Sequence, residues 1–313
     1  METKPLGKTG LSVTPLCVGT SPLGNFPAQY GYEVGAEQAV STIGRVLQGP
    51  ITFIDTSNNY GEGESERRIG KAIADAGGLP DGFVLATKVD PLPGSDDFSG
   101  ERVRASVRES QERLGVKRLQ LVYLHDPERI PFDDATAPGG PVEALVQLKK
   151  EGVIEHIGVA GGPIDLERRY IGLEIFDAVI SHNRYTLVDQ SAAPLMDDAA
   201  ARGIAFVNAA PYGGGMLVRG PDAVPTYCYQ PASDETISRV RKMHSACKAK
   251  GVPLAAAALQ FSLRDVRVTS TIVGMSSPER VDQTIRLAEW DIDDELWNEL
   301  LDLAAPGRDG VGL

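Results

Sequence analysis

Cysteine is scarce in this chain of 313 residues: Cys17, Cys228 and Cys247 are three, an odd set without a CxxC pair. That excludes a disulfide framework and a cysteine zinc site. The four histidines, His125, His156, His182 and His244, show no HxxxH spacing, so no metal is expected. Basic charge is also short, with 31 Lys and Arg against 43 Asp and Glu and a net charge of −12. Nucleic acids and anionic membrane surfaces call for a basic face, and neither is expected as a partner. No run approaches the roughly 18 apolar residues of a membrane-spanning helix. Met1-Glu2-Thr3-Lys4-Pro5 does not read as an apolar signal segment, so a reducing cytoplasm is the expected location. Oligomeric state is not legible.

What is there is a regular alternation. Residues 5–14 read as a hairpin with Gly7 and Gly10 bracketing its turn. After it come eight short, β-branched-rich apolar runs: Leu16–Gly19, Ile51–Ile54, Val84–Val89, Leu119–Leu124, Ile157–Ala160, Ala178–Ile180, Ile204–Val207 and Thr269–Val273. They are continuous rather than alternating, the pattern of parallel strands covered on both faces. Between them lie amphipathic stretches. Val103, Val107 and Leu114 share a helical face that Gly115 ends; Val142, Leu145 and Leu148 repeat it, with Gly152 as the stop. Helices are also predicted over 37–47, 64–76, 164–173, 193–202, 234–250 and 278–289. At ~150 residues per domain the length allows two domains, but α/β barrels of this size are single. Eight β-then-α units predict one (β/α)8 barrel over 1–313, with the hairpin at one end and a C-terminal extension; an open doubly wound sheet is the competing architecture. Residues 211–233 are the longest irregular stretch and would lie over the C-terminal mouth.

Function in a barrel collects where strands end. Here the second run ends Ile54-Asp55, the third contains Thr87-Lys88-Val89, the fourth ends Tyr123-Leu124-His125, and the loop after Asp55 adds Tyr60. One mouth would thus collect a carboxylate, an ammonium, an imidazole and a phenol. Each alone has an ordinary structural use as a cap, edge charge, turn residue or packing aromatic. Two late loops suit an anion. Pro211-Tyr212-Gly213-Gly214-Gly215-Met216-Leu217 offers glycines that let backbone N–H groups approach, and Gly274-Met275-Ser276-Ser277-Pro278-Glu279-Arg280 opens a helix with a good cap. Gly61-Glu62-Gly63 is not a dinucleotide fingerprint, because Glu62, Glu64 and Glu66 would repel a pyrophosphate.

The segment Phe53-Ile54-Asp55-Thr56-Ser57-Asn58-Asn59-Tyr60-Gly61 resembles the aldo-keto reductase signature, as do Gly63-Glu64-Ser65-Glu66 with Gly70, Ala86-Thr87-Lys88 and Tyr123-Leu124-His125. The order Asp, Tyr, Lys, His with separations of 5, 28 and 37 residues is similar to that family's tetrad. Ser181–Leu187, Asn208-Ala209-Ala210-Pro211 and Pro253–Phe261 resemble the branch of aldose 1-dehydrogenases (fucose or threo-aldose) that also holds pyridoxal dehydrogenases. The resemblance implies hydride transfer between NADP or NAD and an aldose C1 or another small polar aldehyde or alcohol. It implies a tetrad of Asp55, Tyr60, Lys88 and His125, with Phe26, Tyr60 and His125 facing substrate. It also implies cofactor contacts from Gly19, Thr20, Asp55, Ser181, His182, Asn208, Pro211, Tyr212, Gly213, Gly215, Leu217, Gly274, Ser276, Arg280, Gln283 and Thr284. The chain departs from the family where Ala160-Gly161-Gly162 replaces the usual Ser-Asn, His182 a Gln, Ala209 a stacking Tyr and Thr284 an Asn.

The chemistry has its own logic. A phenol with an ordinary pKa of about 10 is a poor proton donor and acceptor at neutral pH. A neighbouring ammonium is expected to lower it, Asp55 to balance Lys88, and His125 to orient the reacting oxygen. Phe26, Tyr30, Tyr32, Tyr227 and Tyr229 fall in loops expected to rim the pocket. Arg280 has no lysine beside it, which leaves NADP against NAD open and gives NAD use some weight. Two other readings compete: a cofactor-binding sensor or regulatory subunit on the same fold, and a Schiff-base aldolase using Lys88. Asp55 opposes the second by keeping the amine protonated.

Overall fold

Eight parallel strands hydrogen-bond in sequence and close on themselves. In the computed structural model, which describes residues 1–92, 94–228 and 230–304, they are β1 (Leu16–Gly19), β2 (Phe53–Asp55), β3 (Val84–Val89), β4 (Leu119–His125), β5 (Ile154–Gly161), β6 (Ala178–His182), β7 (Ala205–Ala209) and β8 (Val268–Gly274). β8 pairs with β7 on one side and β1 on the other, so the barrel has no edge strand. Every apolar run read from the sequence overlaps one of these strands, and the (β/α)8 barrel is the fold observed.

The two-residue period of each strand sorts its side chains between two cores. Cys17, Phe53, Val84, Ala86, Leu121, Tyr123, Ala178, Ile180, Ala205, Val207 and Ile272 pack together inside the barrel. Their strand neighbours Val18, Ile54, Leu85, Val122, Val179, Phe206 and Val273 pack outward against the helices. The hairpin pairs Lys4–Pro5 with Ser12–Val13 and adds Leu6 and Val13 to the interior cluster. A Cβ on Gly7 would lie 2.8 Å from the backbone nitrogen of Ala205, the first residue of β7, so the hairpin closes the N-terminal end.

The surrounding helices are α1 (Ala36–Leu47), α2 (Glu64–Asp75), α3 (Gly100–Leu114), α4 (Pro141–Lys150), α5 (Ile164–Ile171), α6 (Ala193–Arg202), α7 (Leu254–Arg264) and α8 (Pro278–Ala288). Their ends follow local chemistry. Ser99 caps α3 by accepting from the Arg102 N–H, and Gly115 ends it with a φ of 70°.

One unit differs from expectation. The helix against β8 is α7, while the predicted helix, Asp234–Ala249, lies outside it against α7 and the helix Asp294–Leu303. Leu254–Ser262 is buried on every side, so it carries no polar face to mark it in the sequence. The extension thus contains Asp294–Leu303; residues 305–313 lie outside the described residues. Within 211–233, the structure has a tight turn at Gly213–Gly215, a short helix Met216–Arg219 and a two-stranded pair of Thr226–Tyr227 with Gln230–Pro231.

The loop after β2 is locked to the loop after β1 at one glycine. Gly61 has a φ of 63°, and a Cβ there would lie 2.0 Å from the carbonyl oxygen of Gly24. Gly61→Ala is expected to cost at least about 2 kcal/mol. Chemical denaturation measures this, and an unchanged midpoint would contradict the contact.

Candidate active site

The strand period delivers three polar groups to one place. Asp55, Lys88 and His125 stand two residues beyond Phe53, Ala86 and Tyr123, all interior residues, so they point into the barrel at its C-terminal end. Asp55 and Lys88 are almost wholly buried, and Lys88 Nζ donates to Asp55 Oδ2 at 2.6 Å and to the Thr56 carbonyl at 2.7 Å. The third donor position reaches the half-buried Tyr60 hydroxyl at 3.3 Å, with Nζ 4.8 Å from the ring centre. The Tyr60 ring stands edge-on to His125, centroids 5.9 Å apart at 79°.

Burial disfavours the Lys88 ammonium, but the Asp55 carboxylate outweighs it and holds the lysine above its ordinary value. Tyr60 differs from expectation. Burial pushes its phenol up, and the Lys88 ammonium offsets only part of this, so the hydroxyl keeps its proton more firmly than free tyrosine. Lys88 lowers Tyr60 relative to the same site without a cation, but not below the ordinary phenol.

Sequence reading missed the support of His125. Asp90 Oδ1 lies 2.7 Å from His125 Nδ1, and Asp90 Oδ2 accepts the Ser57 hydroxyl and the Asn59 N–H at 3.3 Å. Nδ1 therefore carries a proton and Nε2 faces the mouth. Burial works against the imidazolium, and Asp90 more than restores it, so the His125 pKa is raised above 6.5. Period two would have found both: Ser57 and Asp90 stand two residues past Asp55 and Lys88.

The loop bearing Tyr60 is pinned from behind by α3. Asn58 donates to the Ser106 carbonyl at 3.2 Å and to Glu109 Oε2 at 3.1 Å. Arg102 grips Glu109 with two bonds of 2.8 and 2.7 Å, and Arg113 donates to the Asn58 carbonyl at 2.9 Å and to the buried Glu66 at 3.2 Å. Phe26 lies across the same loop, since a Cβ on Gly24 would sit 3.0 Å from its ring and 2.8 Å from the Tyr60 carbonyl carbon.

The late loops separate the expected cofactor residues into two groups. Gly213, Gly214 and Gly215 all have positive φ, 56°, 73° and 105°, a backbone that suits glycine; the Gly213 and Gly215 N–H groups close the turn onto the Ala210 and Tyr212 carbonyls at 3.2 and 3.0 Å. The Tyr212 hydroxyl is buried without a hydrogen-bond partner, and the charge of Arg280, in the first turn of α8, reaches it. Gly274 is exposed; Ser277 caps α8, and the exposed Arg280 reaches Gln283 Oε1 at 2.6 Å. Gly19, Thr20 and Pro211 are buried at strand ends around this opening, and Ser276 gives its carbonyl to Gln38 at 2.7 Å. These features fit an elongated anionic ligand running from the mouth over the loops after β7 and β8.

Other side chains turn elsewhere. Ser181 and Asn208 fall on the outward phase of their strands. Ser181 sits beside the buried Glu167 of α5, and Asn208 donates to the Tyr185 carbonyl and the Ser262 hydroxyl, both at 2.8 Å. Leu217 is buried in the outer core, and Thr284 gives its hydroxyl to the Arg280 carbonyl at 2.8 Å inside α8. Tyr227 is likewise internal, its hydroxyl 2.7 Å from Thr186, whereas Tyr30 and Tyr32 stack at 5.8 Å near Phe26. Tyr229 lies outside the described residues. His182 faces the mouth, where Asp126 and Glu128 offer ligand atoms that lie with its own within 4.8 Å of one another.

Comparison with known proteins follows the same outline. Residues 15–305 match the model of the aldo/keto reductase family. The chain is 33% identical over 291 residues to an L-galactose dehydrogenase of Arabidopsis thaliana, covering 91% of this chain and 87% of that one. It is 32% identical over 318 residues to a D-threo-aldose 1-dehydrogenase of a Pseudomonas species, covering 93% and 94%. It is 30% identical over 336 residues to a pyridoxal 4-dehydrogenase of Microbacterium luteolum, covering 96% of each. A solved aldo-keto reductase of Bacillus halodurans, in its holo form, superposes with a TM-score of 0.79 over 99% of each chain at 22% identity and shares the fold.

Asp90→Asn removes the charge that restores the His125 imidazolium. The His125 titration is expected to move to lower pH, because the raised value depends on the carboxylate. Turnover should drop about tenfold or more. Imidazole proton resonances across pH read the shift, and an unmoved titration would contradict the pairing.

Proposed function

The chain belongs to the aldo/keto reductase family of oxidoreductases, and on that premise we propose that it moves a hydride between NAD(P) and C1 of an aldose or another small polar aldehyde or alcohol. The observation that carries this reading is the Tyr60 hydroxyl, 3.3 Å from a buried lysine and edge-on to His125 at the barrel mouth. The bound nicotinamide supplies or accepts the hydride. Tyr60 moves the proton on the same carbon's oxygen, giving it in reduction and taking it in oxidation. In reduction the Tyr60 O–H bond breaks and a new O–H bond forms on the former carbonyl oxygen, leaving a phenolate. Lys88 stabilises that phenolate, and Asp55 keeps Lys88 charged while holding its Nζ in place. As the imidazolium that Asp90 favours by holding Nδ1–H, His125 donates from Nε2 to the oxygen and fixes its direction.

Asp55 also speaks against the aldolase reading, since an amine held as ammonium at 2.6 Å from a carboxylate is not a nucleophile. A phenol tied to a buried ion pair also speaks against a purely cofactor-binding sensor role on this fold. The relatives named for D-threo-aldose and pyridoxal both support a small aldehyde or its alcohol as substrate. For the cofactor, Gly213–Gly215, Gly274, Ser276 and Arg280 are the residues suited to the phosphates. Arg280, in the first turn of α8, is the one cation within residues 274–285, which supports use of NAD as well as NADP. We further read residues 1–313 as one barrel domain working in the cytoplasm. Among the described residues, no helix is long and apolar enough to cross a membrane.

Tyr60→Phe is expected to lower turnover by at least about a thousandfold while nicotinamide binding, read by quenching of protein fluorescence, persists. Retained turnover would overturn the proton role. Arg280→Ala is expected to raise the KM for NADP about tenfold or more and that for NAD far less. Steady-state kinetics with each cofactor distinguishes this from equal effects, which would assign Arg280 to the adenine instead.

A further inference from the structure

Beside His125 the mouth is walled by hydrogen-bond acceptors. Asp126 brings Oδ1 to 3.6 Å from His125 Nε2, the ring nitrogen not engaged by Asp90. Its backbone lies in the left-handed region at a φ of 43°, which Asn and Asp enter more readily than other side-chain-bearing residues, and its N–H donates to the Ala160 carbonyl at 2.8 Å. Glu128 and His182 stand against it, one ligand atom from each within 4.8 Å of the others. Glycine makes room for them: a Cβ on Gly161 would lie 3.0 Å from Glu128 Oε2, and one on Gly162 would lie 3.2 Å from His182 Cε1. The departure Ala160-Gly161-Gly162 is thus the counterpart of this wall. The nearby cations are committed. Arg129 holds Asp126 Oδ2 at 2.9 Å, Lys88 holds Asp55, and Arg184 is buried and partnered.

Resting on the reading that the reacting carbonyl sits at Tyr60 and His125, we infer that Asp126, Glu128 and His182 receive the substrate's hydroxyl groups. They select uncharged polyhydroxylated carbonyl compounds over the corresponding phosphate esters. A sugar hydroxyl donates to a carboxylate or a neutral imidazole, and bonds to an ionised acceptor are the stronger kind. An analogue lacking those hydroxyls forgoes these charge-assisted bonds at the half-buried Asp126 and the exposed Glu128, and so binds less well. A phosphate in the same place meets the Asp126 and Glu128 carboxylates, while the cations described around them, Arg129, Lys88, Arg184 and a protonated His125, already have partners, so like-charge repulsion penalises it.

Three three-carbon aldehydes test this: propanal, glyceraldehyde and glyceraldehyde 3-phosphate. In the wild-type enzyme, kcat/KM for glyceraldehyde is expected to exceed that for propanal about tenfold or more, and that for the phosphate ester about a hundredfold. Asp126→Asn and Glu128→Gln are each expected to raise the KM for glyceraldehyde about tenfold, to affect propanal less, and to narrow the gap to the phosphate ester. Equal use of glyceraldehyde and its phosphate overturns the inference. So do variants that slow all three aldehydes alike, which would leave Asp126 acting only through His125. Activity lost in EDTA and restored by Zn²⁺ also overturns it, making the cluster a cation site. If the wild type turns over none of them, the hydride-transfer reading fails by itself. Calorimetric titration then still tests the wall: weaker binding of glyceraldehyde by Asp126→Asn supports it, and equal binding overturns it.

Discussion

The ion pair between Lys88 and Asp55 is the constraint around which the mouth is arranged. Both groups are buried, and a lone charge there would cost about 3–5 kcal/mol once its partner were removed. Three acceptors use the lysine's three protons: a carboxylate, a backbone carbonyl and the Tyr60 hydroxyl. Nothing else about the ammonium is adjustable, so its position fixes that of the phenol. Tyr60 must then reach inward from its loop, which explains why that loop is anchored twice. The α3 residues Arg102 and Arg113 hold Asn58 from outside, and Gly61 meets Gly24 with no space between.

Burial has opposite consequences for the neighbouring groups. It pushes Tyr60 up, Lys88 offsetting only part of this, whereas for His125 the Asp90 carboxylate overcomes it. Both hydroxyl and imidazole therefore hold protons well, a pairing suited to donating toward a carbonyl oxygen. For oxidation of an alcohol the same phenol has to release its proton first.

The barrel was legible because its strands are continuous apolar runs, and all eight carry that mark. Asp55, Lys88 and His125 stood out because polar residues interrupt those runs near their ends, whereas Tyr60, in a loop, was joined to them by the resemblance to the aldo-keto reductase signature. What escaped did so for definable reasons. Helix Leu254–Arg264 is buried over Leu254–Ser262 and carries its only charge at its last residue, while Asp234–Ala249, outside the barrel layer, is rich in the charged residues that mark an exposed helix. Ser181 and Asn208 occupy strand ends like Asp55, but one residue out of phase, so their side chains enter the helix layer. Asp90 and Ser57 are in phase and were missed because they lie in the loops just past their strands. Thr284 looks available in sequence and is occupied by its own helix backbone. Counting parity from a known interior residue, rather than position along the strand alone, would have sorted all of these except the helices and Thr284.

The dependence of Tyr60 on the ion pair is open to one direct measurement, the pH dependence of alcohol oxidation in the wild type and in Lys88→Met. Loss of the ammonium leaves burial unopposed. The rise in rate with pH should therefore move to higher pH, with a fall of at least about a thousandfold at neutral pH. A variant that keeps the wild-type limb and rate would mean that Lys88 does not govern the phenol, and the arrangement described around it would have no bearing on proton transfer.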